Sequence, residues 1–163
     1  MKRWIKITLW IIGTPVVIIA GLLISYIIAN KQEIIKPFQV GSPKAKYKIL
    51  IASQGSEFKE ELVNRFVNEL KSDSVYIYVL DCTNLKESHL IGWDAYILIH
   101  TMQIHKMPKE ADLFLSKMPN LNKVALVSTS GAGDENYTKL DVDGISTASR
   151  MVYIDPIMEW ILP

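Results

Sequence analysis

The sequence predicts an α/β domain, a three-layer doubly wound parallel sheet of four to five strands, preceded by one transmembrane helix. Three observations carry this. A long uncharged apolar run opens the chain. Four short, almost wholly apolar runs follow it. Polar or amphipathic stretches of helical length separate those runs.

Residues 7–29, ITLWIIGTPVVIIAGLLISYIIA, contain no charged side chain. At 1.5 Å per residue, about 20 apolar residues cross a hydrocarbon layer of about 30 Å. Gly13 and Pro15 are tolerated in helices embedded in lipid. Trp4, Trp10 and Tyr26 lie toward the ends of the run, where interfacial aromatics gather. A cleaved signal peptide has a shorter apolar region followed by small residues at the cleavage site. Ala29-Asn30-Lys31 is a poor match to such a site, so the reading is an uncleaved single-pass anchor in the cell membrane. The tail, residues 1–6, carries Lys2, Arg3 and Lys6 without an acid. That bias places the tail in the cytoplasm and the domain outside it.

Residues 30–46 read as a linker. Pro37, Gly41 and Pro43 discourage a helix, and Lys31, Lys36, Lys44 and Lys46 make the stretch basic. The domain then occupies 47–163. Its apolar runs are Tyr47–Ala52, Val75–Leu80, Ala95–Ile99 and Val124–Val127. β-Branched and aromatic residues dominate them, as suits strands buried on both faces. Between the first two runs, Phe58, Leu62, Phe66 and Leu70 recur every fourth residue beside Val63 and Val67. Ser56 stands as N-cap, with Glu57, Glu60 and Glu61 at the positive helix start. Pro108 opens a second helix to about Lys117, buried through Ala111, Leu113, Phe114 and Leu115. The link from Asp81 to Trp93 holds at most a short helix over Leu85–Ile91. Asp141–Arg150 is a candidate fifth strand, irregular or at the sheet edge. Asp155-Pro156 reads as the start of a terminal helix. This βαβαβαβ order calls for right-handed crossovers and helices on both faces.

In such sheets ligands bind at the carboxyl ends of the strands. Those ends are Ser53, Gln54, Gly55 and Ser56; Asp81-Cys82-Thr83; His100, Thr101, Met102 and Gln103; and Thr129, Ser130, Gly131 and Gly133 beside Ser128 and Ala132. Polar strand-to-loop chemistry alone would give the same composition.

With strand order, domain size and these loops in hand, residues 47–163 resemble the flavodoxins. The resemblance implies a five-stranded parallel sheet with FMN on this rim. Ser53, Gln54, Gly55 and Ser56 would hold its phosphate, and Thr101, Met102, Gln103, Thr129, Ser130, Gly131 and Gly133 would flank the flavin. The family's phosphate loop is Ser/Thr-x-Thr-Gly-x-Thr. Here the glycine matches, while Gln54 and Glu57 stand where threonines are expected. A carboxylate in the first helical turn competes with phosphate for the same N–H groups and the same dipole. A seven-residue stretch, Asp143–Ser149, also looks like the segment that carries FMN as a phosphoester in certain extracytoplasmic domains, with Ser149 in place of the esterified threonine. An ordinary turn or helix start explains it as well.

Other constellations exclude more than they propose. A net charge of +1 gives no field for nucleic acid. The single cysteine, Cys82, rules out an intrachain disulfide. His100, His105 and Cys82 lack a carboxylate to complete a metal site. Thr129-Ser130-Gly131 lacks the glycine of a nucleophile elbow. Asn136-Tyr137-Thr138 fits the glycosylation pattern. No acid/base pair supports an enzyme. The expectation is a membrane-anchored interaction or structural module with weak or no FMN binding and a possible protein partner. The alternative is a tethered FMN electron carrier.

Overall fold

The fold was analysed in a computed structural model, which describes residues 3–29, 33–102, 106–130 and 143–147. It divides into two compact units, Met1–Gln32 and Glu33–Pro163.

The first unit holds helix α1, Arg3–Ala29, which continues through Pro15. Trp10, Val17, Leu22 and Ile28 are exposed on it. The span expected over 7–29 falls inside this helix. Among the described residues, however, no helix is long and apolar enough to cross a membrane; side chains are described without interruption only over residues 10–26.

The second unit is the α/β domain. Strands β1 (Phe38–Val40), β2 (Tyr47–Ser53), β3 (Val75–Asp81), β4 (Ala95–Thr101), β5 (Val124–Thr129) and β6 (Asp143–Thr147) form one sheet in the order β1-β3-β2-β4-β5-β6. From β3 to β6 every pair is parallel. Parallel neighbours require crossovers, and two of these contain helices α2 (Glu57–Leu70) and α3 (Lys109–Ser116).

The strands alternate between two apolar faces, which is why they read as nearly continuous hydrophobic runs. Ile49, Ile51, Ile77, Val79, Ile97 and Ile99 form one face with Leu62, Phe66 and Leu70 of α2. Leu50, Leu80, Tyr96, Leu98 and Leu126 form the other with Ala111, Phe114 and Leu115 of α3. The helical repeat of α2 is thus the repeat of its contacts. Leu113, assigned to the buried side of α3, is 52% exposed. In so short a helix only one narrow stripe reaches the sheet.

The link after β3 forms two 3-10 turns, Cys82–Asn84 and Glu87–His89, rather than an α-helix. Aromatic rings pack in this region: Trp93 stacks with Tyr76 and with Tyr78, at centroid distances of 6.0 and 6.1 Å. The fifth strand of the parallel set lies at the sheet edge as β6, in register with β5 from Ala125↔Asp143 to Thr129↔Thr147.

The largest departure concerns residues 30–46. From Glu33 onward the stretch belongs to the domain and is not a free linker. Ile35 is buried in the core beside α2. Phe38–Val40 pairs antiparallel with β3, Phe38 opposite Val79 and Val40 opposite Ile77. Pro37 sits just before the strand, where its missing N–H removes nothing from the ladder. Gly41, at φ +84°, then turns the chain; a Cβ there would lie 2.2 Å from the Val75 carbonyl oxygen. Prolines and lysines made this segment look like a spacer, but they are also what an edge strand tolerates.

Candidate functional site

The carboxyl ends of β2, β4 and β5 meet on one rim, as expected of a parallel sheet. Their polar groups are turned on one another. The Gln54 backbone N–H donates to the Ile99 carbonyl at 3.0 Å, and its side-chain oxygen accepts the Thr101 N–H at 2.7 Å. Thr101 and Thr129 share a hydroxyl hydrogen bond of 2.9 Å. The Thr129 hydroxyl also lies 3.2 Å from the His100 carbonyl. The Met102 N–H donates to the Thr129 carbonyl. Ser53 is fully buried and donates to the Gln54 carbonyl. Gln54 therefore ties β2 to β4.

Ser56 is the N-cap of α2, with its hydroxyl accepting the Lys59 N–H at 3.3 Å. This is the cap expected from the sequence, and it engages a first-turn N–H group of the kind a phosphate would use. Gly55 is buried under the incoming chain. Glu33 forms an antiparallel bridge with it. A Cβ on Gly55 would fall 2.0 Å from the Glu33 carbonyl oxygen. The glycine that matches the phosphate-loop pattern is thus needed for a close backbone crossing.

Two residues later the strap is fixed again. The Ile35 N–H donates to Asp81 Oδ2 at 3.1 Å. Oδ1 of Asp81 accepts the Thr83 N–H at 2.9 Å and the Thr83 hydroxyl at 2.7 Å. Asp81 is 2% exposed and Lys59 4%. Burial lowers the Lys59 ammonium pKa, while Cys82 and Asp81 oppose that shift. Burial first, and Asp81 next, raise the Cys82 thiol far above its ordinary value. A thiol so protonated is a poor nucleophile and a poor metal ligand.

His100 completes the buried polar layer. Its Nε2 lies 3.1 Å from the Ser128 hydroxyl, and its Nδ1 is buried without a hydrogen-bond partner. Burial pushes its pKa down to about 4, the Thr101 backbone opposes that shift, and the Lys59 charge lowers it further. No group of three or more metal-ligating side chains occurs among the described residues.

The sequence-expected residues Ser53, Gln54, Gly55, Ser56, Thr101, Met102, Thr129 and Ser130 therefore lie at the strand ends or in the turns that follow them. Gln103, Gly131 and Gly133 lie outside the described residues, as do His105, Ser149 and Asn136–Thr138. The backbone of Asp143–Thr147, five positions of the supposed esterification segment, is strand β6 and not a turn or helix start. Sequence reading missed Lys59 and the Glu33–Ile35 strap. Lys59 did carry a signal: a cation in the first turn opposes the helix dipole and needs some other reason to be there.

A solved flavodoxin of Streptococcus pneumonia TIGR4 matches with a TM-score of 0.50 and 14% identity, covering 71% of this chain and 94% of that chain. The fold is flavodoxin-like. Seven solved chains match in all. No family model matches the chain, and no curated protein matches it. At this identity the likeness concerns the fold alone. Glu33 covers Gly55, the Ser56 hydroxyl is engaged as a cap, and the Gln54 side chain is spent on β4.

Proposed function

We propose that this chain is a membrane-anchored flavodoxin-like module that works through interaction or structure, with weak or no FMN binding. One observation carries the reading: the Glu33 backbone crosses Gly55 at the corner where flavodoxins hold phosphate. The self-satisfied hydroxyls of Thr101 and Thr129 agree with it. Phosphate recognition needs free N–H groups at a helix start, and the Ser56 cap engages that of Lys59 here.

Anchoring is proposed on the uncharged run 7–29. The basic tail of Lys2, Arg3 and Lys6 supports an extracytoplasmic domain. Reporter fusions to either terminus check the orientation: an externally active C-terminal reporter agrees, and a cytoplasmic one reverses it.

The FMN question is decided on the full-length chain in detergent micelles. Its visible absorption is recorded as purified, and flavin fluorescence is followed on titration with FMN. A colourless protein that leaves the flavin emission unchanged is expected. A yellow protein, or stoichiometric quenching, would make it a tethered FMN electron carrier instead.

A further inference from the structure

We propose that the outer side of segment 33–38 contacts a lipid surface. The proposal rests on the anchor reading above.

Ile35 points into the core, while Ile34 is 69% exposed and Phe38 38%. Both line one depression of about 460 Å³ with Lys36, Glu60, Val63 and Asn64. Isolated exposed apolar residues are ordinary. Ile91 and Leu113 are examples on this domain. What distinguishes Ile34 and Phe38 is their shared depression and their place in the chain. Only residues 30–32 separate Ala29 from Glu33. Four residue steps, fully extended, reach about 14 Å at most. A segment tethered that closely to a membrane-crossing helix stays within reach of the headgroup layer. Lys36 between the two apolar side chains suits this position, because its stem can lie along the interface with the ammonium in the headgroups. Glu33 and Glu60 offset Lys36, so the surface fits zwitterionic better than anionic lipid.

The test uses the full-length chain in phosphatidylcholine vesicles. Single variants Ile18→Cys, Ile34→Cys, Phe38→Cys and Ile91→Cys are labelled with an environment-sensitive fluorophore. Native Cys82 is fully buried, and labelled wild type sets the background. Spin-labelled lipid should quench positions 18, 34 and 38, while aqueous iodide quenches position 91. Replacing part of the lipid with phosphatidylserine should not increase quenching at 34 and 38. Lipid quenching at 18 with iodide quenching at 34 and 38 overturns the contact and leaves the anchor intact. Iodide quenching at 18 overturns both. Equal lipid quenching at 34, 38 and 91 means unspecific adsorption and also overturns the contact.

Discussion

The carbonyl oxygen of Glu33 lies 2.0 Å from where a Cβ on Gly55 would stand. Two segments far apart in the chain thus share a space that only glycine leaves open. The same crossing covers the turn before α2 and fixes the start of the domain, so one substitution probes both. Gly55→Ala must push the strap away or strain the turn before α2. Overpacking of this kind costs roughly 1–3 kcal/mol. We expect a lower urea midpoint and faster chymotryptic cleavage after Phe38. Unchanged cleavage would mean that the strap stays seated and the turn absorbs the strain.

Asp81 is the second clamp on the strap. It accepts from Ile35 and Thr83 and is almost fully buried. Asp81→Ala leaves these donors without their acceptor and takes a negative charge from beside Lys59. Each hydrogen bond to a charged group is worth about 1.5–3 kcal/mol. The loss should therefore exceed that of Gly55→Ala. Asp81→Asn keeps one carbonyl acceptor and should fall between wild type and Asp81→Ala in urea unfolding.

The sheet was legible in the sequence because both of its faces are buried. Ile49-Leu50-Ile51 supplies alternate faces, so each strand reads as an unbroken apolar run. The helix at Ser56 was equally legible, since its cap and its repeat of four agree. The strap was not. A three-residue edge strand makes few contacts, and the deeply buried Ile35 ahead of it is flanked by residues that also suit a linker. The polar strand ends were legible as one rim of a parallel sheet, but the backbone crossing there was not. Glu57 stands out in the sequence as a carboxylate in the first turn of α2, whereas the turn before it is covered at Gly55 by the backbone of Glu33. No one-dimensional pattern records a crossing between positions 33 and 55.

That difference is testable by restoring the loop. Gln54→Thr with Glu57→Thr returns the family's hydroxyls and removes the first-turn carboxylate. If the strap is what excludes phosphate, the double variant should stay colourless and leave flavin fluorescence unquenched. The lost Gln54–Thr101 hydrogen bond should lower stability by about 1 kcal/mol. Acquisition of FMN by this variant would show that side chains, and not the strap, had set the exclusion.

Lys59 separates a structural cation from a binding one. Removing one charge from beside a buried opposite charge leaves the other uncompensated, which costs about 3–5 kcal/mol in a tight pair. Lys59→Met leaves the buried Asp81 carboxylate without its neighbouring cation and should therefore unfold at a lower urea concentration than wild type. If Lys59 instead binds an anion, inorganic phosphate should raise the melting temperature of wild type and not that of Lys59→Met. No such difference is expected.

His100 gives the domain an acid-side pH dependence whose sign follows from its burial. Its folded pKa, about 4, lies below the usual unfolded value of about 6.5. Above about pH 6.5 neither state is protonated at this site, and His100 contributes no pH dependence. As pH falls from about 6.5 toward 4, the unfolded chain takes up a proton that the folded chain refuses. Stability therefore declines across that window, by on the order of 3 kcal/mol at its lower end. Ser128 pairs with Nε2, while Nδ1 is buried without a partner, so a second ring proton meets no acceptor in the folded domain. Urea unfolding at pH 7 and pH 4.5 should show the decline in wild type. His100→Gln, which keeps a polar group beside Ser128 and cannot titrate, should flatten it while lowering stability at both values. An equally steep decline in His100→Gln would place the acid sensitivity in other groups.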